Sequence, residues 1–545
     1  MIGLPRLRPL FSPSISAAAL RVIHTALPPE PEIIASICGS LRKGSNFPTL
    51  TKQFTNLNLN KNTQIIPKIL LQLKQPHDAH CALKFFHWAA LNFEIQHSPF
   101  DYCVTIHILA HAKLVKDAQA LLESVIVKTS SGIIVLDLLF DSYEVCESTP
   151  FVFDLFVQCC AKLKMIDDGV SACELLDKKG FNLSVISYNT LINVVLKSDN
   201  GGLVWKVYEG MMERRICPNE FTMKVMVSGL CKEGRLGRFV DVVKRIHGKK
   251  CSAGVVVNTC LVYGMIDEGR IEEGMGILKW LLQKTMILDT VSYSLIVLAR
   301  VKSGDLASAL RVYGEMIRRG FSANPFVHTL FIGAYCEEGK IEEAIELFCE
   351  MENVGLKPYD ETFNHLILGC SRAGRLEDSL KFCESMIDAG LVSSCAAFNE
   401  LVHRMSENGF TKRADEMLTS LLEKGFLPNE LTYTHLIAGY QKEGNLEGVL
   451  KLYYEMEYKS FPPSTSVFAS IIAALCHCGD LKEAEKYFKA MKDKSLDPCS
   501  YIYENLINAH IEKGSKVRGD QLYHEMLDCG HTASIETHLR DVAKS

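Results

Sequence analysis

No two of the twenty cysteines in this sequence stand three residues apart. A C-x-x-C pair is the usual half of a zinc or redox site. The nearest approaches, Cys159-Cys160 and Cys476-His477-Cys478, have no matching second half nearby. The thiols therefore read as small hydrophobes in a reducing compartment, with neither metal nor disulfide expected. Also missing is any run of about 18 uninterrupted apolar residues, so no membrane span is expected. A formal charge of −5 lacks the basic excess of a protein that holds nucleic acid by bulk electrostatics, so any such site has to be local. The sequence has no G-x-x-x-x-G-K-[ST] loop, no G-x-S-x-G elbow and no H-E-x-x-H helix, and no cofactor or catalytic residue is expected. Disorder is excluded by composition: 48% hydrophobic and 23% charged residues are the balance of a folded chain.

Acidic residues are absent before Glu30, whereas Arg6, Arg8, Arg21 and the serines at 12, 14 and 16 lie among small and apolar residues. Residues 1–29 thus read as an organellar transit peptide, mitochondrial in the first instance and chloroplast as the alternative. The polar stretch 30–64 is expected to be a linker.

What the sequence does have is a period. Gly234, Gly269, Gly304, Gly339, Gly374, Gly409, Gly444, Gly479 and Gly514 follow one another at intervals of 35. The same frame divides 150–534 into eleven contiguous units, from 150–184 to 500–534, without insertion or deletion. Each unit carries two apolar stripes at helical spacing. In 185–219 the first comprises Tyr188, Leu191, Ile192 and Val195; in 325–359 the second comprises Ile341, Ala344, Ile345, Phe348 and Met351. The glycine series falls between the stripes, where a tight turn takes a residue tolerant of positive φ. Seven units place Met at one position of the second stripe: Met211, Met316, Met351, Met386, Met456, Met491 and Met526. Such a column reads as inter-repeat packing rather than a ligand box.

Two-helix units cannot bury their apolar faces alone, so the expected fold is all-α, an α-solenoid superhelix of tandem 35-residue helix-turn-helix repeats. Residues 65–133 read as degenerate repeats forming an amino-terminal cap. They comprise a helical pair with Phe85, Phe86 and Trp88, then a copy at 99–133 with Tyr102, Ala118 and Leu121-Leu122 in register. Residues 134–149 break the register and are expected to be a connector, and 535–545 a carboxy-terminal tail.

The period, with strings such as Ser187-Tyr188-Asn189-Thr190-Leu191-Ile192 and Gly339-Lys340-Ile341-Glu342-Glu343-Ala344, resembles the pentatricopeptide-repeat family, and its uniform length resembles the P-type class. The tetratricopeptide signature, of period 34, is lacking. The resemblance implies a right-handed superhelix that binds single-stranded organellar RNA, one base per repeat. It implies edge-reading by the fifth and last residues of each unit. Asn189 with Asn219 and Asn399 with Asn429 resemble pyrimidine readers favouring C, Thr259 with Asp289 a G reader, and Ser294 with Asn324 an A reader. Thr329 with Tyr359, Asn364 with Ser394, and Thr434 with Ser464 depart from the pattern at the last residue.

Apolar second residues are implied to wedge against base faces: Ile186, Phe221, Val256, Val291, Phe326 and Leu431. The thirteenth column supplies cations for phosphate, namely Lys162, Lys197, Lys232, Lys302, Arg372 and Lys442. Some relatives carry a zinc deaminase that needs H-x-E and P-C-x-x-C. Here only His510-Ile511-Glu512 fits the first motif and nothing fits the second. The expected function is therefore RNA binding that acts on transcript stability, splicing, processing or translation. The alternative is a protein-binding scaffold within an organellar ribonucleoprotein.

Overall fold

The computed structural model describes residues 31–43, 65–93, 95–198 and 200–531. Among the described residues there is no strand, and each of the eleven units forms two helices. Unit 360–394 shows how the local sequence does this. Its helices Asp360–Arg372 and Leu376–Asp388 each span 13 residues. Asp360 and Glu361 stand in the first turn and Arg372 in the last, each sign matching the helix dipole. Gly374, at φ +74°, closes the first helix, and the Arg375 N–H reaches back to the Cys370 carbonyl at 2.9 Å. This is a Schellman cap, in which a left-handed residue satisfies otherwise orphaned carbonyls. All nine glycines of the series have φ between 67° and 84°. The second helix closes on the methionine column, with the Leu391 N–H bonded to the Met386 carbonyl at 3.0 Å. All seven methionines of that column are fully buried, as packing residues should be.

The contacts divide the chain into two compact bodies, 1–241 with 250–288, and 242–249 with 289–545. Each body is an α-solenoid segment. In the second, the first helix of every unit from Pro325–Glu337 to Ser500–Glu512 stacks on the first helix of the next. One apolar core runs through these units, including Phe348, Leu366, Phe398, Tyr433, Phe468 and Tyr503. In the first body, Phe151–Lys162, Val185–Lys197, Glu220–Lys232 and Ala253–Asp267 stack in the same way. The approach is close: a Cβ on Gly369 would lie 2.8 Å from the Cβ and Sγ of Cys336 in the preceding unit.

Two sequence expectations need correction. Within 30–64, Pro31–Arg42 is a helix and not linker. Its Ile34, Ile37, Cys38 and Leu41 are buried, and Arg42 forks onto the buried Asp78 carboxylate at 2.7–3.1 Å. Within 134–149, the helix Gly132–Tyr143 packs Val135, Leu136 and Leu139 into the core. Its Phe140 and Tyr143 rings close on Phe153 and Phe181, with Phe140 4.9 Å from Phe153 and Tyr143 5.1 Å from Phe181. Both stretches carry an apolar stripe, and burying it outweighs the polar residues around it. The expected transit segment 1–29, residues 44–64 and the tail 535–545 lie outside the described residues.

The twenty cysteines are all free. Burial pushes the Cys370 thiol up to about 11 and the Cys383 thiol up to about 12, the behaviour of packing residues. No described helix is long and apolar enough to cross a membrane.

Gly369→Ala is expected to destabilise the second body by about 1–3 kcal/mol through overpacking against Cys336. Gly264→Ala, in a helix with nothing within 4 Å of the added Cβ, is expected to stabilise by up to about 1 kcal/mol from helix propensity. Urea midpoints followed by circular dichroism check both.

Candidate functional site

Except at Gly254 and Asp289, which lie within the following helices, the last residue of a unit is also the N-cap of the next unit's first helix, and this dual position builds the site. Asn219 caps Glu220–Lys232: its side chain accepts from the Thr222 N–H at 3.0 Å. From the fifth position of the preceding helix, Asn189 Nδ2 donates to Asn219 Oδ1 at 3.0 Å. Asn399 and Asn429 repeat the arrangement at 2.9 Å, with Asn429 capping Glu430–Lys442. Asn324 Nδ2 donates to the Ser294 hydroxyl at 3.3 Å while its Oδ1 accepts from the Val327 N–H. Residues thirty apart in sequence thus meet at the start of a helix, where N–H groups project and the dipole is positive.

Other pairs meet differently. Asn364 Oδ1 accepts from the Ser394 N–H and the Ser393 hydroxyl, at 2.9 and 3.1 Å. Thr329 bonds Thr362 at 2.6 Å, and burial pushes the Tyr359 phenol up to about 12. The Thr434 hydroxyl turns back onto the Glu430 carbonyl at 2.9 Å, and Ser464 has no side-chain bond across to it. Thr259 is fully buried and back-bonded to the Val255 carbonyl, whereas Asp289 is exposed. Burial holds His365 and His435 below the ordinary histidine range, so both are neutral near pH 7 and neither supplies positive charge on these helices.

The second column divides into two groups. Ile186, Phe221 and Leu431 are 67%, 48% and 54% exposed. Positions two and five lie three apart on one helix face, so Ile186 stands beside Asn189. Val256, Val291 and Phe326, expected to be wedges as well, are instead buried. Val256 lies on Ala253–Asp267, a helix apolar on nearly every side that packs Val255, Val256 and Val257 alike. In the second body the segment 242–249 lies along the helix starts: His247 bonds Thr290 at 3.1 Å, and the Arg245 guanidinium sits 3.8 Å from the Tyr359 ring centre. Val291 follows Thr290 directly, and Phe326 belongs to the unit that Tyr359 ends.

All six cations of the thirteenth column are exposed. Lys162 pairs with Glu123 at 2.5 Å, and the Lys232 ammonium donates to the Leu196 carbonyl at the end of the preceding unit's first helix, at 2.9 Å. Within each body these residues stand at or near the carboxy ends of the first helices.

Four models of one repeat type match the chain: a PPR repeat family model at 183–232, PPR repeat models at 221–251, 291–321 and 319–352, and the pentacotripeptide-repeat region of PRORP at 357–538. The chain carries pentatricopeptide repeats. A mitochondrial pentatricopeptide repeat-containing protein of Arabidopsis thaliana is 45% identical over 217 residues, 40% of each chain. A second Arabidopsis pentatricopeptide repeat-containing protein is 35% identical over 30% of this chain and 22% of its own length. The match thus spans well under half of these curated relatives. Among solved structures, the pentatricopeptide repeat protein PPR10 in complex with an 18-nt psaJ RNA element aligns over 95% of this chain and 82% of its own, at 16% identity and a TM-score of 0.40.

Sequence reasoning missed one column of these pentatricopeptide repeats. The third residue is a hydroxyl in five units, and at four junctions it bonds the fifth residue of the preceding repeat. Ser187 meets Asp154 (2.5 Å), Thr222 meets Asn189 (2.6 Å), Thr362 meets Thr329 (2.6 Å) and Thr432 meets Asn399 (2.7 Å). The signal was available as an N-x-x-T capping box at 219–222 and 429–432.

Because Asn429 caps a helix, Asn429→Ala is expected to cost about 1 kcal/mol of stability whatever else the side chain does, whereas Asn429→Asp keeps the cap. Urea unfolding of the two variants distinguishes them.

Proposed function

We propose that this chain binds single-stranded RNA along the first helices of its repeats, one base to a repeat, and acts on organellar transcripts by occupying them. The observation that carries this reading is the Asn189–Asn219 pair, with exposed Ile186 beside it and exposed Phe221 two residues beyond. A hydrogen-bonding edge reader flanked by two unpartnered apolar surfaces suits a base, which offers a polar edge and two flat faces. Asn399 and Asn429 with Leu431 repeat most of it. The exposed thirteenth-column cations supply the local positive charge that the net charge of −5 does not.

The reading assigns a C-favouring pyrimidine to units 185–219 and 395–429, and A to unit 290–324. G for unit 255–289 rests on the identities of Thr259 and Asp289 alone. Thr329, Asn364 and Ser394, and Thr434 and Ser464 make weaker readers. Ile186, Phe221 and Leu431 serve as wedges, whereas burial removes Val256, Val291 and Phe326 from that role. The uniform 35-residue unit supports the P-type class. The amino-terminal composition and the similarity to Arabidopsis pentatricopeptide repeat-containing proteins named as mitochondrial support a mitochondrial location. The protein is read as non-catalytic, and the matched family model is that of the repeat region of PRORP.

Base choice at unit 290–324 is the sharpest test. Asn324 offers an amide donor and a carbonyl acceptor, whereas Asp is an acceptor only. Asn324→Asp keeps the cap on the Val327 N–H and is expected to shift preference from A towards the N–H-rich edge of G, by about 1–3 kcal/mol at that base. Competition binding of both proteins to RNAs differing only at that nucleotide reads it. Identical base rankings would favour a groove that holds protein.

Charge is tested separately. Replacing Lys197, Lys232 and Lys302 by Ala is expected to weaken all RNAs alike and flatten the salt dependence by about 0.7 per lost contact. An unchanged slope would place these lysines away from phosphate.

A further inference from the structure

We propose that the third residue of the following repeat is a specificity-determining positioning residue: the hydroxyls of Thr222 and Thr432 hold the amides of Asn189 and Asn399 in the one orientation that the capped helix start allows. This deepens the RNA-binding reading and rests on it. The argument starts from a backbone group whose polarity cannot change. The Thr222 N–H can only donate, and it lies 3.0 Å from Asn219 Oδ1, so that atom is an acceptor. The Asn189 atom 3.0 Å from the same Oδ1 must then be Nδ2. That orientation turns Asn189 Oδ1 onto the Thr222 hydroxyl, 2.6 Å away, which donates its one proton there. Asn219's backbone N–H donates to the same hydroxyl at 3.1 Å, leaving its proton free to point at Asn189.

Every bond in this ring is directed by the helix N-terminus. The Asn189 carbonyl is therefore turned inward and bonded within the protein. Its second Nδ2 hydrogen has no acceptor among the described residues, and the side chain is only 7% exposed. What the repeat offers outward is one donor in one orientation. A pyrimidine with an acceptor ring nitrogen, cytosine, matches it; uracil presents an N–H at that atom and does not.

A second copy repeats the arrangement, whereas Ser292 carries a hydroxyl without it and Thr259 there bonds back to the Val255 carbonyl. Thr432 donates to Asn399 Oδ1 at 2.7 Å, Asn399 Nδ2 donates to Asn429 Oδ1 at 2.9 Å, and the Thr432 N–H fixes that oxygen at 3.2 Å. Where the third residue has no hydroxyl, the fifth finds other partners. Before Ala397, Asn364 Oδ1 takes the Ser394 N–H and the Ser393 hydroxyl. Before Val467, Thr434 bonds back onto its own helix. The reader is thus three residues drawn from two repeats.

Thr222→Val removes the hydroxyl and keeps the shape; Thr222→Ser keeps the hydroxyl. Two measurements are made on the full chain. In the free protein, nitrogen-resolved NMR of the Asn189 side-chain amide is expected to show one slowly exchanging hydrogen in wild type and Thr222→Ser, and faster exchange in Thr222→Val, where Asn189 Oδ1 loses its donor. In competition binding, RNAs taken from a randomised single-stranded pool and differing only at the nucleotide aligned with repeat 185–219 are compared. Wild type and Thr222→Ser are expected to favour C over U by about fivefold or more, the lower end for one mismatched base, and Thr222→Val to bring the ratio close to one. An Asn189 amide unaltered in Thr222→Val overturns the lock whatever RNA does. An unaltered C-to-U ratio in Thr222→Val that still binds RNA overturns its role in specificity alone. A wild-type chain that selects no RNA overturns the RNA-binding reading, and this assignment with it.

Discussion

A pair of 13-residue helices with one apolar stripe each cannot keep those stripes from water unless another pair lies against them. Everything else in the structure depends on that shared burial. It is why the methionine column is fully buried in seven repeats, why Gly369 lies against Cys336 with no room for a Cβ, and why the core of the second body runs from repeat to repeat. The left-handed turns follow from it too. Where the second turn lacks glycine, Arg215, Thr285, Ser460 and Ser495 still adopt φ between 55° and 61°. Stacking therefore imposes the turn at a cost of about 1–2 kcal/mol at each such residue.

Stacking first helices side by side also puts the start of each helix next to the fifth residue of the one before. A helix start has N–H groups to satisfy, and Asn, Ser and Asp satisfy them well. The residue types at the last position of each repeat therefore answer two demands, capping and recognition, and their identity alone does not separate the two. The geometry does, by showing which side-chain atom the cap uses up and which remains. At Asn219 and Asn429 the cap takes Oδ1, and the polarity of the whole three-residue ring follows from it.

The same logic accounts for the departures. Arg245 sits against Tyr359 and His247 against Thr290, so at these repeats the helix starts face protein. Repeat 220–254 is where the frame itself slips: its second helix ends at His247, with Gly248 at φ +73° two residues ahead of the turn position held elsewhere.

The sequence by itself determined the period, the two-helix unit, the turn glycines, the packing role of the methionines and the columns in which site residues stand. All of these are patterns along one dimension, repeated often enough to outweigh local exceptions. Only the tertiary structure decided which members of a column face outward. Phe221 and Phe326 hold the same position in their repeats, yet one is half exposed and the other buried, because exposure depends on what lies across from a residue and not on its neighbours in the chain. For the same reason the helices Pro31–Arg42 and Gly132–Tyr143 were illegible: each is a single stripe outside the frame, stabilised by partners such as Asp78 and Phe153 that are distant or out of register. The third-column hydroxyls escaped notice because their bonds join residues 33 apart that belong to two different repeats.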